Sequence, residues 1–182
     1  MTHWVFGYGS LIYKVDFPHL ERVPGHIRGW QRRFWQGSHD HRGTPEAPGR
    51  VVTLIPARER LCEGMAYRID EEVFEHLDHR EKNGYRRVDT CMALADGRRV
   101  EGTVYVADEA NPAFLGPASL SEIAAHITRS RGPSGANCDY LLRLAEALRD
   151  LAIEDEHVFE LESLVRAQKT GTLPSRVSGS KS

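Results

Sequence analysis

The chain has 182 residues, 40% of them hydrophobic, and a formal net charge of -2 from 24 basic and 26 acidic side chains. That is enough chain for one well-filled domain and too little for two ordinary ones. The two signs are mixed with no basic block, which excludes the electrostatic footprint of a nucleic-acid or membrane-surface binder, and no apolar run reaches the roughly 18 residues that a membrane span needs.

Strands dominate the first part of the chain. Val5-Phe6 is a short apolar strand that stops at Gly7. Residues Gly25 to Gly37 carry Ile27, Trp30, Phe34 and Trp35 among charges, the pattern of a half-buried strand, with a bulge expected at Gly29. "HDHRGTPEAPGR" crowds Pro and Gly together and reads as a loop. "RVVTLIP" and "CEGMAYRI" read as two strands. Asp70 is the expected N-cap of a helix whose first turn holds Glu71 and Glu72 and whose buried stripe is Val73, Phe74 and Leu77. Asn83-Gly84 ends it in a turn. Two further strands, "YRRVDTCMALA" and "RRVEGTVYVA", are joined at Asp96-Gly97.

The last third changes period. Leu120, Ile123, Ala124 and Ile127 are helically spaced, as are Leu141, Leu142, Leu144, Ala145, Leu148 and Leu151, and then Val158, Phe159, Leu161, Leu164 and Val165. The expected domain is residues 1–170, followed by a Ser- and Gly-rich tail, 171–182, expected to be disordered. Strands first and helices mostly after predict an α+β fold with a mixed or antiparallel sheet that curls into a barrel. The N-terminus lacks the charged start and apolar core of a signal peptide. Cys62, Cys91 and Cys138 are odd in number and far apart, which suits reduced thiols in a cytoplasmic protein rather than a disulfide framework or a zinc pattern.

Three features could carry chemistry. The first is Gly7-Tyr8-Gly9-Ser10, at the end of the first strand. It has no third glycine for a dinucleotide loop, no Gly-Lys-Ser/Thr for a phosphate loop and no Gly-x-Ser-x-Gly frame for a nucleophile elbow. A tight turn and a nest of amides for an anion both remain open. The second is the charged end of the helix around Glu75, Asp78 and Glu81. A carboxylate there faces the negative end of the dipole, which raises its pKa and suits a general acid or base, although a solvated helix end has the same composition. The third is the histidines. His39 and His41, or His76 and His79, could each grip a metal, but no third and fourth ligand stands at a diagnostic spacing. Cys62 would be a nucleophile only beside a histidine brought to it by the fold.

"VFGYGSLI", "RRFWQGSHDHRGTPEAPGRVVTL", "GMAYRI", "LDHREKNGYRR", "NPAFLGPASLSEIAAHI" and "GPSGANCDYLLRLAEALRDL" together resemble the ChaC family of γ-glutamylcyclotransferases, from about Trp4 to Ala167. The resemblance implies a small mixed β-barrel flanked by helices. It implies conversion of glutathione to 5-oxoproline and cysteinylglycine, with no cofactor and no metal. It places Gly7, Tyr8, Gly9, Ser10, Leu11 and Ile12 on the γ-glutamyl head, Glu81 as the acid/base, and Tyr140 facing the pocket. Asn83 and His79 depart from the family's pattern. Arg33, Arg42 and Arg50 are candidates by charge alone for the other end of glutathione. A monomer with no nucleic-acid or membrane partner is expected. Competing readings are a cyclotransferase for γ-glutamyl amino acids or amines, a non-catalytic glutathione-binding module, and a redox protein using its cysteines.

Overall fold

A computed structural model describes residues 1–81 and 84–171. Asn83 of the expected turn and residues 172–182 of the expected tail lie outside them. The elements in chain order are β1 (Thr2–Gly7), α1 (Ser10–Tyr13), β2 (Glu21–Ser38), β3 (Gly49–Asp70), α2 (Glu71–Glu81), β4 (Arg86–Leu94), β5 (Arg99–Val106), α3 (Leu120–Arg129), β6 (Arg131–Gly132), β7 (Gly135–Ala136), α4 (Asn137–Asp150) and α5 (Glu156–Thr170).

Five strands close a barrel in the order β1-β3-β2-β4-β5. Its ladders are antiparallel except the closing one, where β1 meets β5 in parallel at Val5 and Thr103. The fold is thus α+β with a mixed barrel, as the order of elements and the resemblance both imply. The bulge expected at Gly29 is present: the β2–β3 register shifts between Arg28 and Trp30, and Gly29 has φ +90, a conformation glycine adopts without steric cost.

One strand boundary differs from the sequence reading. "RVVTLIP" and "CEGMAYRI" are parts of a single β3 of 22 residues. Arg28 faces Leu61 while Trp30 faces Pro56, so the residues between, 57–60, are accommodated as an excess on one strand. The short α1 is also additional to the reading.

The helices α3, α4 and α5 pack on the barrel and on one another. Ile123, Ala124 and Ile127 of α3, Leu141, Leu144, Ala145 and Leu148 of α4, and Val158, Leu161 and Val165 of α5 are buried. Each large aliphatic side chain so buried contributes about 1.5–3 kcal/mol. Ser119 and Glu122 close a capping box at the start of α3, and the Asp155 carboxylate caps α5 through the Val158 N–H. No helix among the described residues is long and apolar enough to cross a membrane.

Candidate active site

β1 delivers its chain end into a small cleft. The cleft, about 60 Å³, is lined by Phe6, Tyr8, Gly9, Ser10, Leu11, Val52, Glu81, Tyr85, Tyr105 and Tyr140. Of the residues singled out in the sequence, the fold brings Tyr8, Gly9, Ser10, Leu11, Glu81 and Tyr140 together. Gly7 and Ile12 stand behind that wall. Ile12 is buried in the core and its N–H is used on the Gly9 carbonyl at 2.9 Å.

The turn after β1 is held from several sides. The Tyr8 hydroxyl donates to the Tyr105 carbonyl at 2.5 Å. Arg32, almost wholly buried, donates through Nε to the Tyr8 carbonyl at 2.6 Å, pairs with Asp155 at 2.6 Å and donates to the Glu63 carbonyl. Gly9 has no room for a side chain: a Cβ there would lie 2.8 Å from Val52 Cγ2 and 3.1 Å from the Tyr140 hydroxyl. The amides that follow open α1, where the first N–H groups of a helical turn have no intrahelical partner. Close packing at Gly9 leaves this backbone as the surface of the cleft.

Glu81 is the last residue of α2, and its carbonyl accepts the Tyr85 N–H at 3.0 Å. Its side chain is 23% exposed, and Arg80 Nε lies 3.6 Å from Oε1. Burial pushes its carboxyl pKa up against the opposing pull of Arg80 and His41. Arg80 is shared with Asp16, 3.2 Å away, so it neutralises Glu81 only in part. Around this carboxylate stand phenols that burial keeps protonated: Tyr8, Tyr85, Tyr105 and Tyr140 all have raised pKa values. The Tyr105 hydroxyl donates to Asp78 at 3.0 Å, and the Tyr140 hydroxyl accepts the Val52 N–H at 3.3 Å. The site therefore sets one carboxylate of raised pKa against neutral phenols and bare backbone. Such a combination is suited to moving protons around a group held by its oxygens.

Sequence reasoning missed Phe6, Val52, Tyr85, Tyr105 and the anchoring Arg32. Tyr85 had a weak signal, lying four places after Glu81 in the same turn. The others had none.

A larger groove, about 700 Å³, lies between the β2–β3 ribbon and the start of α5 and includes Arg33, Cys62, Glu63 and His157. It does bring a histidine to the neighbourhood of Cys62. That histidine is occupied, since its Nε2 accepts the Phe34 N–H at 3.0 Å and burial lowers its pKa to about 4. Burial also raises the Cys62 thiol. The groove thus lacks an activated nucleophile. Its greater volume does not make it the reactive site.

The family model described as ChaC-like protein matches residues 3–168. The chain belongs to the ChaC-like family. Among family relatives, "Gamma-glutamylcyclotransferase 2-3" of Arabidopsis thaliana is 46% identical over 91% of this chain and 89% of its own length. "Glutathione-specific gamma-glutamylcyclotransferase" of Schizosaccharomyces pombe is 42% identical over 93% and 95%. A crystal structure of the yeast γ-glutamyl cyclotransferase specific to glutathione superposes with a TM-score of 0.82 at 34% identity, covering 91% of this chain and 96% of that one.

Proposed function

We propose that this ChaC-family protein is a glutathione-specific γ-glutamylcyclotransferase, with Glu81 as its acid/base. The observation that carries the reading is the meeting of Glu81 with the Tyr8-to-Leu11 backbone in one cleft. The named activity of the yeast and fission-yeast relatives supports the choice of substrate. The α-amine of the γ-glutamyl group attacks its own δ-carbonyl. A lactam C–N bond forms, and the bond to the cysteinyl nitrogen breaks. The products are 5-oxoproline and cysteinylglycine, and no water is consumed. Since the nucleophile is already part of the substrate, the protein's task is to hold the arm folded and to move protons. The ammonium gives up two: Glu81 takes the first, which frees the attacking amine, and releases it to solvent, then takes the second from the ring nitrogen of the tetrahedral adduct and passes it to the departing amine. Backbone N–H groups of Gly9 to Leu11 and the neutral phenol of Tyr140 hold the head's oxygens.

The reading includes a monomer at work in the cytoplasm. The three cysteines are free, which suits a reducing compartment.

The test is incubation with reduced glutathione followed by mass-spectrometric assay. Equal release of 5-oxoproline and cysteinylglycine is expected. Glu81→Gln should lower kcat by about two to four orders of magnitude with KM little changed. Release of glutamate would mean hydrolysis and overturn the mechanism. Faster turnover of γ-glutamyl-alanine or γ-glutamyl-lysine would overturn the substrate.

A further inference from the structure

The cleft accounts for the γ-glutamyl head of glutathione, but the other end carries a glycyl carboxylate that needs a cation. Three arginines meet that need by charge, and their surroundings separate them. Arg33 donates to the Arg32 carbonyl at 2.7 Å and to Gln31 at 2.8 Å, and it faces the separate groove. Arg50 uses its Nη1 on the carbonyls of Phe34 and Gly116, at 3.0 and 2.9 Å. Arg42 and Arg50 are equally buried, 7% exposed, and neither makes an ion pair among the described residues, but the Arg42 guanidinium has one backbone acceptor, the Ala136 carbonyl at 3.1 Å, where Arg50 has two. Asp139 approaches Gly135 from the same quarter without pairing with it. A buried guanidinium without a counter-charge is costly, and an incoming carboxylate relieves that cost.

The Tyr13 hydroxyl lies at the same place. It is buried and makes no hydrogen bond of good geometry among the described residues, while the Arg42 guanidinium approaches it as a donor and Arg143 adds its charge. Arg143 is exposed and lies 4.6 Å over the Tyr13 ring.

We propose that Arg42 and the Tyr13 hydroxyl form the receptor for the glycyl carboxylate of glutathione, with the exposed Arg143 adding positive charge beside it. The inference rests on the reading of the cleft as a glutathione cyclotransferase. Tyr140 links the two places. Its hydroxyl stands against Gly9 on the cleft wall, and Arg42 lies 5.9 Å over its ring, while the edge of that ring meets Tyr13 with centroids 6.2 Å apart. From the scissile bond to the glycyl carboxylate a substrate extends two residues, about 7 Å. A simple γ-glutamyl dipeptide carries its carboxylate one residue earlier, about 3.5 Å nearer the scissile bond. A receptor matched to the tripeptide would therefore discriminate against the dipeptide by reach.

The experiment compares glutathione with its glycinamide form, γ-Glu-Cys-Gly-NH2, on the wild-type protein and on Arg42→Gln and Arg42→Lys. Without the charge-assisted hydrogen bond to the carboxylate, the wild type should turn over the amide with kcat/KM reduced roughly tenfold to a hundredfold, expressed in KM. Arg42→Gln should lose a similar factor on glutathione and treat acid and amide alike, while Arg42→Lys keeps part of the preference. Equal kcat/KM for acid and amide in the wild type would overturn the receptor whatever the variants do, including a failure of Arg42→Gln to fold. A wild-type preference that survives unchanged in folded Arg42→Gln would overturn it too. Failure of the wild type to release 5-oxoproline from either ligand would instead remove the cyclotransferase reading, and the receptor with it.

Discussion

At Glu81, desolvation outweighs the pull of Arg80 and His41, and the carboxyl titrates above its ordinary value of 4.5. The folded chain then holds a proton that the unfolded chain has already released. Stability therefore falls as pH rises through the window between the ordinary and the raised pKa, and the loss persists above it. Glu81→Gln removes this burden. Its urea midpoint should exceed that of the wild type at about pH 7 and approach it at about pH 4, below the unfolded carboxyl pKa. On the proposed mechanism the same substitution removes the base, so loss of activity would accompany a gain in stability. A variant less stable than the wild type at neutral pH would show that the carboxylate is a structural asset. Gly9 makes the opposite demand on space. In Gly9→Val the new Cβ would sit 2.8 Å from Val52 Cγ2 with two methyls beyond it. Overpacking of this kind costs about 1–3 kcal/mol. Displacement of the loop by ~1 Å should lower kcat/KM roughly a hundredfold, with both constants affected. Normal glutathione binding by this variant would mean that the loop does not touch substrate.

Elements respond to pH through α5. His157, in its first turn, is neutral in the fold, with a pKa lowered from 6.5 to about 4. Here the unfolded chain gains a proton first as pH falls. The stability contributed by the neutral ring is complete above about 6.5 and lost progressively towards about 4. At about 1.4 kcal/mol per pKa unit the effect is on the order of 3 kcal/mol. His157→Gln keeps an acceptor for the Phe34 N–H and should flatten the acid limb of the stability curve; an unchanged limb would assign it to other groups. The position of α5 was readable from Val158, Phe159, Leu161, Leu164 and Val165, because a helix repeats often enough to betray its period. The extent of β3 was not. Pro56 and the charged run after it look like a break, and only pairing with β2, Trp30 opposite Pro56, keeps the strand whole. The four-residue α1 is too short to carry a period. In the candidate site, the conspicuous Gly-Tyr-Gly-Ser turn was legible as a tight turn or an amide nest, and Glu81 was singled out from Glu75 and Asp78 only by the family resemblance, while Tyr105 and Val52 were not legible. Alternation along a strand says which face is inward but not which end of a barrel opens. Arg32 was hidden for a related reason. A charged residue in a strand reads as surface, and its burial depends on Asp155, 123 positions away.

At the scale of the whole molecule, that pair joins the barrel to the helical layer. Arg32 belongs to β2, Asp155 caps α5, and the third partner is the carbonyl of Tyr8 in the cleft wall. Arg32→Met would leave the Asp155 carboxylate, 13% exposed, without its counter-charge. Removal of one member of a buried pair costs about 3–5 kcal/mol. Chemical denaturation should register that loss, and a change below ~1 kcal/mol would show that the pair is solvated in practice. The cleft itself is assembled from residues spread between Phe6 and Tyr140, and the Tyr8 hydroxyl reaches a carbonyl 97 positions away. During synthesis, domains fold as units with the N-terminal end appearing first. A chain that ends before α4 thus has the Gly-Tyr-Gly-Ser turn, the glutamate and most of the cleft wall, but lacks Tyr140 and the Asp155 that pairs with Arg32. The last third of the chain therefore completes a cleft that the first two thirds begin.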